Sequence, residues 1–185
     1  MLEIRIHGRG GQGNVVAAYL LATAAFEVKR YGQAFPNFGA ERRGAPVVAF
    51  VRIDDKPIKR RNQVNSPAFL IVQDQALLHV PGVMDGLRDG GGVLVNSTLS
   101  SEALSQEMGY PLVALPASSL AKDILGRPVP NTALLAGFLA LTGILPIDAL
   151  NQALSHRFKG DILDRNLRLI EEAAHYVPVD HWKIA

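Results

Sequence analysis

The sequence contains no cysteine. That absence removes disulfides, a thiol nucleophile, and any cysteine-ligated zinc site or iron–sulfur cluster from this chain. Charge of one sign is equally scarce. The formal net charge is +2 over 185 residues, too little by itself to argue for nucleic acid. No helical stretch carries a basic stripe, and the aromatic residues are not interleaved with cations in a stacking pattern. The N-terminus lacks the basic segment, apolar run and small-residue cleavage site of a secretory leader. Long hydrophobic runs are also missing: the most apolar stretch, residues 133–145, holds Gly137 and Gly143 and is too short to cross a bilayer. A cytoplasmic protein with neither membrane nor nucleic-acid partners is expected. The five histidines are scattered without metal spacing. Each reads as a surface or packing residue, and His7 stands out only because it adjoins a glycine loop. No metal site is expected, and no acid–base or nucleophilic constellation assigns a catalytic residue.

What is present reads as one domain over residues 1–185, long enough to bury a full core, with 48% apolar residues. Residues 2–6 alternate as a strand, and the apolar run from Val15 to Ala25 reads as a helix buried almost all round. Periodicity disappears over residues 31–44, where Gly32, Pro36, Asn37, Gly39 and Gly44 predict irregular backbone. Further strands are expected at residues 46–53, 68–72, 93–95 and 112–115. Gln73-Asp74-Gln75 marks the start of a short helix. Ser97, Thr98 and Ser100 offer caps for a helix over residues 101–108, and Asn131 or Thr132 for the apolar helix reaching Thr142. Helices are also expected at residues 118–125, after Pro146, and over residues 161–176. Strands alternating with helices predict a three-layer α/β/α sandwich with a mainly parallel or mixed sheet.

Gly8, Gly10 and Gly13 satisfy G-x-G-x-x-G between a strand and a helix, the context of a dinucleotide-binding loop. Glycines let the backbone turn and approach a ligand, the helix N-terminus offers unpaired N–H groups, and Arg9 adds a cation. The pattern then lacks its second element, an acid ending the next strand about 20 residues on. Glu27 has that distance but lies in the tail of the helical run, and Val28-Lys29-Arg30-Tyr31-Gly32 follows it. Arg30 could serve a 2′-phosphate. Close helix–strand packing is the structural alternative for the same glycines.

Two basic segments follow. Lys56, Lys59, Arg60 and Arg61 read as a solvated hairpin end. Glu41-Arg42-Arg43-Gly44-Ala45-Pro46 sets two guanidiniums beside a carboxylate in a stiff loop, suited to an anion or to an ion pair across an interface. Phe35-Pro36-Asn37-Phe38 places aromatics just upstream, as in loops that dock on a partner, although ordinary tertiary packing would use the same residues.

Taken together, Gly8-Arg9-Gly10-Gly11-Gln12-Gly13 with its alanine-rich helix, and Gly39-Ala40-Glu41-Arg42-Arg43-Gly44-Ala45-Pro46 leading into Ala49-Phe50-Val51-Arg52-Ile53, resemble the gamma subunit of 2-oxoacid:ferredoxin oxidoreductases. Asn131-Thr132-Ala133-Leu134-Leu135-Ala136-Gly137 ahead of Thr142-Gly143 resembles the same family, and the likeness extends to about Val177. The resemblance implies oxidative decarboxylation of a 2-oxoacid on thiamine diphosphate, with electrons passed through iron–sulfur clusters to ferredoxin and the acyl group to coenzyme A. The Glu41-to-Pro46 segment looks most like the pyruvate and branched-chain members, so pyruvate ranks first. The resemblance further implies alpha, beta and delta partner subunits. Thiamine diphosphate, magnesium, the clusters and coenzyme A would be held on or with those partners, with none bound by this chain alone. Arg9, Gly10, Gly11, Gln12, Gly13, Glu41, Arg42, Arg43, Gly44 and Asn131 would then form loops on one sheet edge, facing the active-site and coenzyme A entrance or packing on the partners. A self-contained NAD(P)-binding oxidoreductase and a purely structural assembly subunit are the alternatives.

Overall fold

The computed structural model describes residues 1–37 and 45–182. The chain opens with β1 (Leu2–Arg9), α1 (Asn14–Glu27), β2 (Tyr31–Asn37), β3 (Pro46–Asp54) and β4 (Phe69–Val72). A 3-10 helix at Gln75–His79 leads to β5 (Gly92–Asn96), α2 (Ser101–Met108), β6 (Val113–Leu115) and α3 (Ala117–Leu125). The chain then stays helical through α4 (Asn131–Thr142), α5 (Ile147–Arg157) and α6 (Gly160–His175).

One six-stranded sheet runs β2-β3-β1-β4-β5-β6. β1, β4, β5 and β6 are parallel neighbours, whereas β3 lies antiparallel to β1 and β2 antiparallel to β3. The sheet is therefore mixed, with its antiparallel part at one side. β2 corrects the expectation of irregular backbone over residues 31–37. As an edge strand it pairs on one side only, and its glycine, glutamine and proline residues carry no alternation for a sequence pattern to detect. Its order comes from β3, through pairs such as Phe35 with Phe50 and Gln33 with Arg52.

Successive strand residues face opposite sides of the sheet. Leu2, Ile4, Ile6, Val51, Ile53, Phe69, Ile71 and Leu94 join the larger core under the helices α1, α3, α4, α5 and α6. Gly137 lets α4 approach the sheet closely, because a Cβ there would come 2.8 Å from Leu115 Cδ2. The opposite face is covered more thinly. Leu70, Val72, Val93 and Val95 pack there against Leu77 and Leu78 of the 3-10 helix and Leu104 of α2. Helices thus lie on both faces, in unequal thickness. Among the described residues, no helix is long and apolar enough to cross a membrane.

On the antiparallel side this second face is polar. Glu3, Arg5 and His7 of β1 and Arg52 of β3 are all buried. Arg52, at 0% exposure, donates from Nε to Glu3 Oε1 at 2.9 Å and from Nη1 to Gln33 Oε1 at 3.1 Å. Its Nη2 donates to the carbonyl of Asn62 at 2.7 Å. Arg88 reaches the other carboxylate oxygen of Glu3 at 3.0 Å. Glu3 therefore neutralises a guanidinium that could not be buried alone. Glu3→Ala is expected to cost about 3 kcal/mol of stability, since it strands a buried charge. Breaking the exposed Asp161–Arg165 pair of α6 should cost under about 1 kcal/mol. Urea denaturation of the two variants checks the contrast.

Candidate functional site

The C-terminal ends of β1, β4 and β5 and the N-terminal ends of α1, α3 and α4 meet along one edge of the sheet. After β1 the chain leaves toward α1 on the thick helical side, and after β4 it leaves toward the 3-10 helix on the other. The two connections diverge, and such a switch point leaves a crevice between adjacent strands.

The glycine loop forms one lip of this crevice. Gln12 closes it as a tight turn: its N–H donates to Arg9 O at 3.1 Å, and its Oε1 accepts from Arg9 N at 2.7 Å. Gly13, at φ 78°, is the N-cap of α1 and offers the helix no side-chain cap. A Cβ on Gly13 would sit 2.5 Å from Asn131 Nδ2, so α4 starts directly against the loop. Asn131 also corrects one expectation: Pro130 holds the cap position of α4, and Asn131 is its first helical residue, its Oδ1 accepting from Thr132 N at 2.8 Å. Asn14 pins the start of α1 to the sheet, donating from Nδ2 to Ile6 O at 2.9 Å and to Val47 O at 2.8 Å.

The second lip comes from β4. Asp74 caps the 3-10 helix through Ala76 N and pairs with Arg9, whose Nε lies 2.5 Å from Asp74 Oδ2. That ion pair ties the β1 loop to the β4 loop across the crevice. A cleft of about 390 Å³ opens beside it, lined by Gln12, Gln73, Asp74, Asn96, Ser97 and Ser118 among others. Asn96 organises its floor, donating to Gln73 O at 3.0 Å and to Ser118 Oγ at 2.8 Å while accepting from Ser118 N at 3.0 Å. Gln73 is fully buried, and neither polar atom of its side chain has a hydrogen-bond partner. Gly8 makes room for this packing: a Cβ there would come 3.0 Å from Gln73 Oε1 and 3.1 Å from Asn14 Oδ1.

Arg9, Gly10, Gly11, Gln12, Gly13 and Asn131 are therefore brought together, whereas Glu41, Arg42, Arg43 and Gly44 lie outside the described residues. Ala45, which follows them, lies beside the loop, its carbonyl accepting from Gly10 N at 3.2 Å. Gln73, Asn96 and Ser118 were not singled out from sequence. Their one signal was position, just past short buried strands, and it acquires meaning only once strand order is known. The edge suits an anion, since α1 has no acid in its first turn and no side-chain cap on its leading N–H groups. An iron–sulfur cluster does not fit a chain without cysteine. Among the described residues, no group of three or more His, Asp or Glu could hold a metal ion.

The dinucleotide alternative loses its geometry. α1 leads to the antiparallel edge strand β2, separated from β1 by β3, so the strand that should end in the ribose-binding acid is not a parallel neighbour of β1. Glu27 lies about 20 Å along α1 from the loop and pairs with His156. Arg30 is engaged by Asp55 and by the carbonyl of Ile144.

His7, next to the loop, faces the second side of the sheet. Its pKa is pushed down from 6.5 to about 4, first by burial and then by the Arg5 guanidinium.

The model of the family described as "Pyruvate ferredoxin/flavodoxin oxidoreductase" matches residues 3–176. The common gamma subunit of pyruvate/ketoisovalerate oxidoreductases from Thermococcus kodakarensis is 45% identical over 94% of this chain and 95% of its own length. Pyruvate synthase subunit PorC from Methanocaldococcus jannaschii is also 45% identical, over the same shares of the two chains. The crystal structure of pyruvate oxidoreductase subunit PORC from Thermotoga maritima superposes with a TM-score of 0.85 at 35% identity, covering 94% of this chain and 95% of that one.

Two expectations follow from the site. Gly13→Ala should lower stability by about 1–3 kcal/mol, because it adds left-handed strain and displaces Asn131. Gly11→Ala, at φ 96° with open space around it, should cost only the strain, about 1 kcal/mol; thermal unfolding ranks the two. Separately, a folded-state His7 pKa below the unfolded value means that stability is full above pH 6.5 and declines as pH falls toward 4. The ceiling on that loss is about 3 kcal/mol. His7→Phe should flatten this part of a stability-versus-pH curve.

Proposed function

This chain belongs to the pyruvate ferredoxin/flavodoxin oxidoreductase family as a gamma-type subunit, and we propose that it serves a heteromeric enzyme converting pyruvate, or a close 2-oxoacid, to its acyl-coenzyme A with electrons delivered to ferredoxin. The observation that carries this reading is the coextensive match: relatives 45% identical are aligned over 94% of this chain and 95% of their own length. The whole chain would act as one gamma-type domain, in the cytoplasm, and would be inactive alone. A relative described as common to pyruvate and ketoisovalerate oxidoreductases supports placing substrate choice in other subunits.

Alpha, beta and delta chains are the proposed partners. They would hold thiamine diphosphate with its magnesium, and the iron–sulfur clusters, which this cysteine-free chain cannot ligate. Thiamine diphosphate, when bound there, supplies the carbanion-stabilising chemistry that decarboxylation needs. The part proposed for this chain is positional. The uncapped N-terminus of α1, with Arg9 beside it, favours an anion such as a coenzyme A phosphate. The Arg9–Asp74 pair keeps the two lips of the crevice in register. Arg42 and Arg43, between strand ends anchored at the same edge, would add cations toward the coenzyme A entrance or the neighbouring subunit.

Arg43→Ala in the assembled complex tests this assignment. About ten-fold weaker apparent coenzyme A affinity with subunit association intact is expected. A loss confined to association would favour the purely structural role, and no change in either would overturn the role given to the loop. Titration of the isolated chain with NADH should give no saturable fluorescence change.

A further inference from the structure

We propose that the basic segment after β3 is a docking surface for a soluble protein with an acidic face, engaged transiently and apart from the crevice. Lys56, Lys59, Arg60 and Arg61 fall within six residues, and no acid follows them before Asp74. All four are exposed, and among the described residues none makes an ion pair. The neighbouring acids are already engaged: Asp55 by Arg30, and Glu3 by both Arg52 and Arg88. The segment therefore carries uncompensated positive charge in a chain whose net charge is only +2.

The backbone of this segment is fixed, so the cations are held on one face. Buried Arg52 donates to the carbonyls of Arg60, at 3.4 Å, and Asn62, at 2.7 Å. Gln63 Nε2 donates to Asn37 Oδ1 at 3.1 Å, and Val64 is buried. Arg88 extends the patch: half-exposed, it donates to Ser66 O from Nε at 2.8 Å and to Glu3 Oε2 from Nη2 at 3.0 Å. Fixed surface cations steer an oppositely charged partner into encounter, and carboxylates fork onto guanidiniums. Lysine is depleted from the cores of permanent subunit interfaces, which are apolar, so a reversible partner fits this surface better than a resident subunit. Nucleic acid fits less well, because no aromatic residue occurs among residues 56–68 for bases to stack on. Glu3 precedes Arg9 by six residues of strand, which sets the patch about 20 Å from the glycine loop.

The probe is a fluorescein-labelled octaglutamate peptide, added to the full chain and read by anisotropy. Saturable binding is expected, weakening about ten-fold when salt is raised from about 50 to about 200 mM. Replacing Lys59, Arg60 and Arg61 together by Glu should abolish it. The milder pair Lys59→Gln and Arg61→Gln, which removes no contact within the fold, should weaken it about five-fold. Replacing Lys122, Arg165 and Arg168 by Glu changes the net charge equally, but on α3 and α6, and should leave binding within about three-fold of wild type. Absence of saturable binding to the wild-type chain overturns the proposal, as does an equal loss in the two triple variants. Tighter binding of an eight-nucleotide oligothymidylate than of the peptide overturns it in favour of nucleic acid.

Discussion

Arg52 is a guanidinium with no contact with water, and much of the architecture at the antiparallel side of the sheet answers to that fact. Its donors are met from three directions: Glu3 on β1, Gln33 on β2, and the backbone of Arg60 and Asn62 in the segment after β3. The Phe35 ring lies against it, 5.4 Å from centroid to the guanidinium carbon. Among the described residues, the helices of the second face pack over β4 and β5, and at this antiparallel part the ion pair and the segments it recruits take the place of a hydrophobic layer. Because Glu3 and Arg52 stand directly opposite in the β1–β3 ladder, the pair also fixes register. A one-residue slip would bury both charges away from each other.

With β1 held between β3 and β4, its C-terminal end is positioned at the place where the chain's connections diverge. The crevice that follows is built from amides and hydroxyls, bridged by one ion pair between Arg9 and Asp74. Asn14 matters here because one side-chain amide joins α1, β1 and β3 through two backbone carbonyls. The glycine loop consequently presents a helix start as a rigid extension of the sheet. That rigidity is what the positional part proposed for this chain would require.

Much of this was legible in the sequence. The alternating run at the N-terminus, the apolar helix after the glycine loop and the Ser100 cap of α2 each carry local signals that survive in the fold. Lys56 and Lys59 are exposed, as their charge implies, but they lie in the connection from β3 to β4, which are not neighbours in the sheet, so the expected hairpin is not formed there. β2 was not legible, because Gly32, Gln33 and Pro36 give an edge strand no periodic pattern. Arg52 also gave no warning: a lone arginine inside an apolar strand looks the same whether it reaches water or is buried against a partner.

The sequence by itself determined the kinds of element, the family to which the motifs belong and the exclusion of cysteine-bound clusters, since these depend on composition and on residues near one another along the chain. Only the tertiary structure decided that β2 and β3 run antiparallel, that Gln73, Asn96 and Ser118 join the glycine loop, and that His7 is buried on the second face of the sheet. Those facts rest on strand order and on which face of the sheet each residue takes. Both are set by contacts between residues far apart in sequence, such as Glu3 with Arg52 and Arg9 with Asp74.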